Sequence, residues 1–387
     1  MNARGLLSDW EKRGLKGLLG LGILCFAASL YLGPSRALAD PLIGNFYFVS
    51  LSLAAACFIA IQYLSSAGWS VVLRRVPEAM TAYLPVGAAV TGVLILAGAR
   101  LYPWAQPELV AADAALQSKA AYLNLPFFAV RAAIYFAAWS FLIRRLLANS
   151  RSQDETGGLE FTRRNRSVSA VYLLVFAFTF TLASIDWTMS LEPHWYSTIY
   201  PWFLFAGAFV YALAVMALLV VAVRRRGIVP QISEHHLHDL GKYLFAFSVF
   251  WAYLWFSQYL LIWYSNIPEE TTFYVRRLAP GWIELFWLNP VVNFATPFFL
   301  LLKIRQKRSG RMLLLAGAAL AAGHWLNLYL LVMPAVDGAH PLPGPLDIGI
   351  FLGFAAVFLL RFDRSLNSAA PVPLRDPLFE ESLHHHA

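Results

Sequence analysis

The sequence predicts an all-α integral membrane protein with about ten transmembrane helices, and three observations predict it. Of 387 residues, 59% are hydrophobic and only 13% are charged, whereas soluble domains carry roughly a quarter charged residues. Apolar runs of about 20 residues, the length that crosses a bilayer core, recur along the chain. Lysine and arginine alternate between successive loops in the manner of the positive-inside rule.

The spans read as 15–32, 43–64, 82–100, 125–147, 168–188, 199–223, 242–264, 282–302, 312–332 and 346–361. They are read as helices because, of the structures that satisfy every backbone group in lipid, the other is a closed barrel. The first and last are short and belong at the bundle edge. Of the 30 Lys and Arg residues, 24 lie in the N-terminal segment, in the loops after spans 2, 4, 6 and 8, and at the C-terminal end. Five lie in the alternate loops, and Arg131 sits inside span 4. This asymmetry places both termini in the cytoplasm and the turn after span 5 on the opposite face. The net charge of +8 is therefore a matter of topology, and no nucleic-acid partner is expected. The 13 Trp and 17 Tyr residues suit the two lipid–water interfaces.

At the N-terminus, a basic start, an apolar run and Ala37-Leu38-Ala39 also fit a cleavable signal peptide. The long leading segment with Asp9 and Glu11 favours retention. The stretch SRSQDETGGLEFTRRNRS (150–167) reads as a polar hinge between two halves. The residues after Arg361, with Pro371, Pro373 and Pro377, read as an extended, solvent-exposed tail.

Cys25 and Cys57 lie in apolar stretches, and CxxC or CxxCH signatures are absent. Haem b between helices needs a pair of axial ligands, and His324 is the only histidine deep in a span. There is also no Walker A, HExxH or nucleophile-elbow motif. The chain is expected to carry no redox cofactor of its own.

Ionisable groups inside a membrane usually face a protein interior or a water path. Arg131, Asp186, Glu284, His324 and Asp347 all fall toward the non-cytoplasmic ends of their spans. Ser169, Tyr172, Thr179 and Asp186 lie along one face of span 5. Span 8 aligns Asn289, Asn293 and Thr296; span 9 pairs His324 with Asn327; span 7 aligns Ser248, Trp251, Trp255 and Gln258. Such stripes line hydrated paths or, alternatively, bind helices to one another. An Arg131–Asp186 ion pair is the specific form of the second reading. In SIDWTMSLEPHWYSTIYPW (184–202), Asp186 closes span 5, while Glu192 and His194 flank Pro193 in the turn and are expected to face water. Histidine titrates nearest neutrality, so His194 suits proton acceptance. The cytoplasmic half offers hydroxyls (Tyr83, Thr91, Tyr172, Thr179, Tyr211, Tyr243) but almost no carboxylates. SEHHLHDLGK (233–242) and His384–His386 contain metal-ligand types, but the first also reads simply as an interfacial lead into span 7.

SIDWTMSLEPHWYSTIYPWFLFAGAF (184–209) and HHLHDLGKYLFAFSVFWAYLWFSQYLLIWYSNIPEET (235–271) resemble the F subunit of bacterial alternative complex III, a quinol oxidoreductase of the inner membrane. The resemblance implies the fold of polysulfide-reductase membrane subunits, with four-helix bundles over spans 2–5 and 6–9. It divides the chain into an N-terminal segment and helix (1–42), a first bundle (43–188), a second (189–332), a last helix (333–361) and a tail (362–387). It implies iron–sulfur, multihaem cytochrome c and related membrane subunits as partners, alongside lipid. It also implies roles in proton conduction and contact with quinone or quinol. Asp186, Glu192, His194 and Gln258 lie in the matching stretches; Arg131, Tyr172, Thr179, Glu284, Asn293 and His324 rest on the reading of the residues. The alternatives are a scaffold subunit of such a complex, the membrane anchor of a polysulfide-reductase-like enzyme, or a stand-alone transporter.

Overall fold

The computed structural model describes residues 5–386; residues 1–4 and 387, the extremities of the N-terminal segment and tail, lie outside it. Ten helices are long and apolar enough to cross a membrane, and the described residues contain no strand. They are α1 (Asp9–Leu32), α2 (Ala39–Ser65), α3 (Arg75–Leu96), α4 (Leu125–Thr156), α5 (Leu159–Trp187), α6 (Tyr200–Arg225), α7 (Glu234–Ser265), α8 (Trp282–Leu300), α9 (Gly310–Val336) and α10 (Pro345–Leu366). The protein is an all-α, multi-pass membrane protein.

Local chemistry sets the helix ends. Ser8 and Glu11 form a reciprocal capping box at the start of α1. Asn124 accepts the Phe127 N–H at 2.9 Å, with Pro126 in the first turn of α4. The polar segment 150–167 is helical except at its centre. It extends α4 and begins α5, and only Gly157 and Gly158, at φ 73° and 104°, interrupt it. Glycine takes these backbone angles without the Cβ clash other residues meet. Pro290 cannot donate within α8, and residues 291–295 wind as a π-helix just after it.

Helices α2, α3, α4 and α5 pack in a closed ring, each against two others of the four. Helices α6, α7, α8 and α9 form a second ring, and α2 joins the two by packing on α6 and α9. Helix α10 lies on α2 and α3, and α1 lies on α10. The α1–α10 contact is close because it is made by small residues. A Cβ on Gly22 would come within 2.6 Å of the Gly353 backbone. Helix α2 is the hub, its apolar window entirely buried, whereas that of α1 is 11% buried.

The tail is not the extended, exposed segment read from its prolines. Asp376 forms a buried ion pair with Arg74. The short helix Phe379–Leu383 packs on the 3-10 turn Gly68–Leu73. There the Ser382 hydroxyl donates to the Trp69 carbonyl and accepts the Val72 N–H. Prolines stop a long helix from forming, but they do not prevent docking when charged and hydroxyl groups find buried partners.

Candidate functional site

One end of the protein gathers α2 and α10 starts, α5 and α9 ends, and the turns at 113–124, 188–199 and 337–344. In the first ring, Arg131 grips Asp186 through two hydrogen bonds of 2.9 Å. The Tyr135 hydroxyl donates to the same carboxylate at 3.1 Å, and Arg131 donates to the Tyr122 carbonyl. The guanidinium also lies 3.8 Å from the Tyr122 ring centre, a favourable cation–π position. Burial, followed by the nearby Asp186 charge, pushes the Tyr122 phenol up to about 12. Asp186 thus ends a helix face, as its sequence position predicts, and is fully compensated. Above it on that face, Thr179 accepts the Trp139 indole N–H at 2.7 Å, and Tyr172 donates to the Leu53 carbonyl of α2.

The second ring has its own clamp. Arg277 donates to Glu192 at 2.8 Å and to the carbonyls of Phe273, Leu330 and Leu331. Glu192 is therefore buried, contrary to its reading as a water-exposed turn residue. The short helix Pro268–Arg277 folds back over the turn, and Phe273 stacks on Trp195 with ring centres 4.0 Å apart. His194, across Pro193, stays exposed and pairs with Asp113 at 2.8 Å. Desolvation raises the Asp113 carboxyl, but the N–H groups of Leu116 and Ala115 and the His194 ring outweigh it and hold it below the usual range. A cleft of about 470 Å³ opens here, with Asp113, Glu192, His194, Trp195 and Arg276 in its wall. The two clamps share a logic: a buried arginine whose donors are filled is tolerated, because breaking such a pair would strand a charge.

The interior between the ends is polar at intervals along α2. Asn45 donates to Thr91 and the Gly87 carbonyl and accepts from Tyr83. Ser52 donates to the Met80 carbonyl. Gln62 is buried with neither amide atom partnered by protein, and the same holds for Asp40 Oδ2 at the other end of the helix. Against the middle of α2 lie Tyr211 and His324, stacked at 4.7 Å, with Tyr47 5.5 Å from the His324 ring. The Tyr211 hydroxyl and His324 Nε2 are also buried without protein partners. Beside the π-turn of α8, Asn293 donates to the Asn289 side chain and the Gly323 carbonyl, and Asn289 donates to Asn327. These contacts tie α8 to α9.

The remaining predicted residues fall elsewhere. Gln258 is buried in a small cavity with Arg277, Asn289 and Asn327. Glu284 is exposed on the outer face of α8's first turn, where a carboxylate complements the helix dipole. At the opposite end, Glu78 is buried between Arg75, at 2.5 Å, and Ser150, at 2.6 Å. It lies in the first turn of α3, which begins at Arg75 and not near 82 as its hydropathy indicates. His236 of the 233–242 segment contacts the Ser382 carbonyl, and Asp239 contacts His385. That segment is the first turns of α7 and a seat for the tail, and no group of metal-ligand side chains forms among the described residues. No protein-family model matches the sequence, and no relative is found among curated proteins.

Proposed function

We propose that the chain is a cofactor-free membrane subunit of a respiratory quinol oxidoreductase of the alternative complex III type, conducting protons and contacting quinone. The observation that carries this reading is α2. A helix whose apolar window is entirely buried has polar side chains from Asp40 to Gln62, about 33 Å at 1.5 Å per residue, which matches the hydrocarbon thickness of a bilayer. Buried polar atoms without partners are costly, and ordered water is their usual partner. Asp40 lies at one end of α2, Tyr211 and His324 lie against its middle and Gln62 lies near the other end, so that water between them would connect the two faces. With the positive-inside orientation, the Asp186 end faces away from the cytoplasm, where quinol oxidation would release its protons. The cleft beside Glu192 and His194 has the size of a small-molecule site. The resemblance of 184–209 and 235–271 supplies the class of complex, with iron–sulfur, multihaem and related membrane subunits as partners.

The test is quinol oxidation and proton release by the complex reconstituted in liposomes, with Asp186→Asn and His194→Ala. The reading expects slower proton release in at least one variant; unchanged turnover and release in both would remove these residues from the path. The filled donors of Arg131 and Arg277 favour a second reading, a scaffold subunit. In that case substitutions along Tyr172, Thr179 and Asp186 would reduce assembly and leave turnover per assembled complex intact.

A further inference from the structure

At the Asp186 end, but outside both clamps, the first turns of α2 and α10 bring two carboxylates together. Asp40 and Asp347 are 5% and 4% exposed, and the two carboxyl groups are within hydrogen-bond reach of one another. Asp347 has charge-stabilising partners: it accepts the Gly344 N–H and lies 3.3 Å from Arg36. Asp40 Oδ2 has none. The groups facing the pair from the surrounding elements are Arg36 in the α1–α2 turn, Tyr329 and Asp337 of the α9 end, and His340 in the following loop. Arg36 is shared, since it also lies 3.5 Å from Asp337 and donates to the Tyr329 hydroxyl. One partly exposed cation therefore serves Asp347 and Asp337 and lies near Asp40.

Two adjacent buried carboxylates cannot both ionise at acceptable cost. A proton between them lets one carboxyl donate to the other. We propose that Asp40 and Asp347 hold one proton between them at neutral pH, forming a proton-binding site. The pair then carries one negative charge, facing Arg36. Arg36, partly exposed beside Asp347, and the exposed His340, 3.0 Å from Asp337, place the site near the protein surface. The site depends on burial and charge count alone, and it stands independently of the class of complex proposed above.

The experiment is infrared spectroscopy of the full chain in detergent, following the carbonyl stretch of protonated carboxyl groups and its shift in heavy water. At neutral pH the protein should show such a band, and both Asp40→Asn and Asp347→Asn should remove it. An asparagine at 40 donates to Asp347 as the acid did; an asparagine at 347 donates to Asp40 and lets it ionise. No band in the unsubstituted protein, a measurement that needs no variant, would overturn the proposal. So would a band that survives in both Asp40→Asn and Asp347→Asn. If the band behaves as expected while proton release by the complex is unaffected, the site stands and the functional reading is the one that fails.

Discussion

The Arg131–Asp186 clamp and the Asp40–Asp347 pair lie at the same end of the molecule and are equally buried, yet they solve opposite problems. At the clamp, one guanidinium meets one carboxylate through two hydrogen bonds, with Tyr135 and the Tyr122 carbonyl completing the set. At the pair, two carboxylates and Asp337 share Arg36. The difference teaches that burial alone does not mark a proton site. Charge balance differs: the clamp matches one carboxylate with one cation, whereas the pair sets more carboxylates than cations side by side.

The comparison breaks most readily at the clamp. Arg131→Met should cost about 3–5 kcal/mol, because it leaves Asp186 buried and unpaired; thermal unfolding in detergent would show it, and a small change would contradict the clamp. Arg277→Lys should cost about 2 kcal/mol or more, since an ammonium cannot reproduce the planar set of donors to Glu192 and three carbonyls. Asp40→Asn sharpens the contrast: a neutral amide replacing a neutral acid should change stability by less than about 1 kcal/mol. Asp186→Asn, by comparison, should be clearly destabilising. Ser382→Ala, which removes the hydroxyl linking the tail to Trp69 and Val72, should cost about 1 kcal/mol and expose the tail to protease.

The smallest effect is expected at Asp113, a surface partner of His194. Its carboxyl is held low in the folded protein. The contribution is present above the ordinary aspartate range and is lost as pH falls through the lowered value. The protection of the Ala115 and Leu116 amides, corrected for the intrinsic pH dependence of exchange, should therefore fall only under acidic conditions; a fall beginning near neutrality would contradict the assignment.

Much of this was legible in the residues. The apolar runs and the basic loops located all ten helices, and the Arg131–Asp186 pair follows from one charge in each of two neighbouring spans. Tyr172 and Thr179 lie on the Asp186 face as helical spacing requires. What escaped was nonlocal. Glu192 looks like a turn residue until Arg277 is brought over it, and Asp40 looks like a helix-end residue until α10 delivers Asp347. The tail was misjudged for a related reason: polarity in a loop does not reveal whether a buried partner awaits it. The polar interior of α2 was hidden because its apolar neighbours dominate any hydropathy window.

Gln62→Leu tests the central claim most directly, because fold and function predict opposite outcomes. Removing two buried, unpartnered polar atoms should leave the thermal stability of the complex equal or higher. If α2 carries protons, proton transfer in liposomes should nonetheless fall while the complex still assembles. Proton transfer equal to that of the unsubstituted complex would contradict the account.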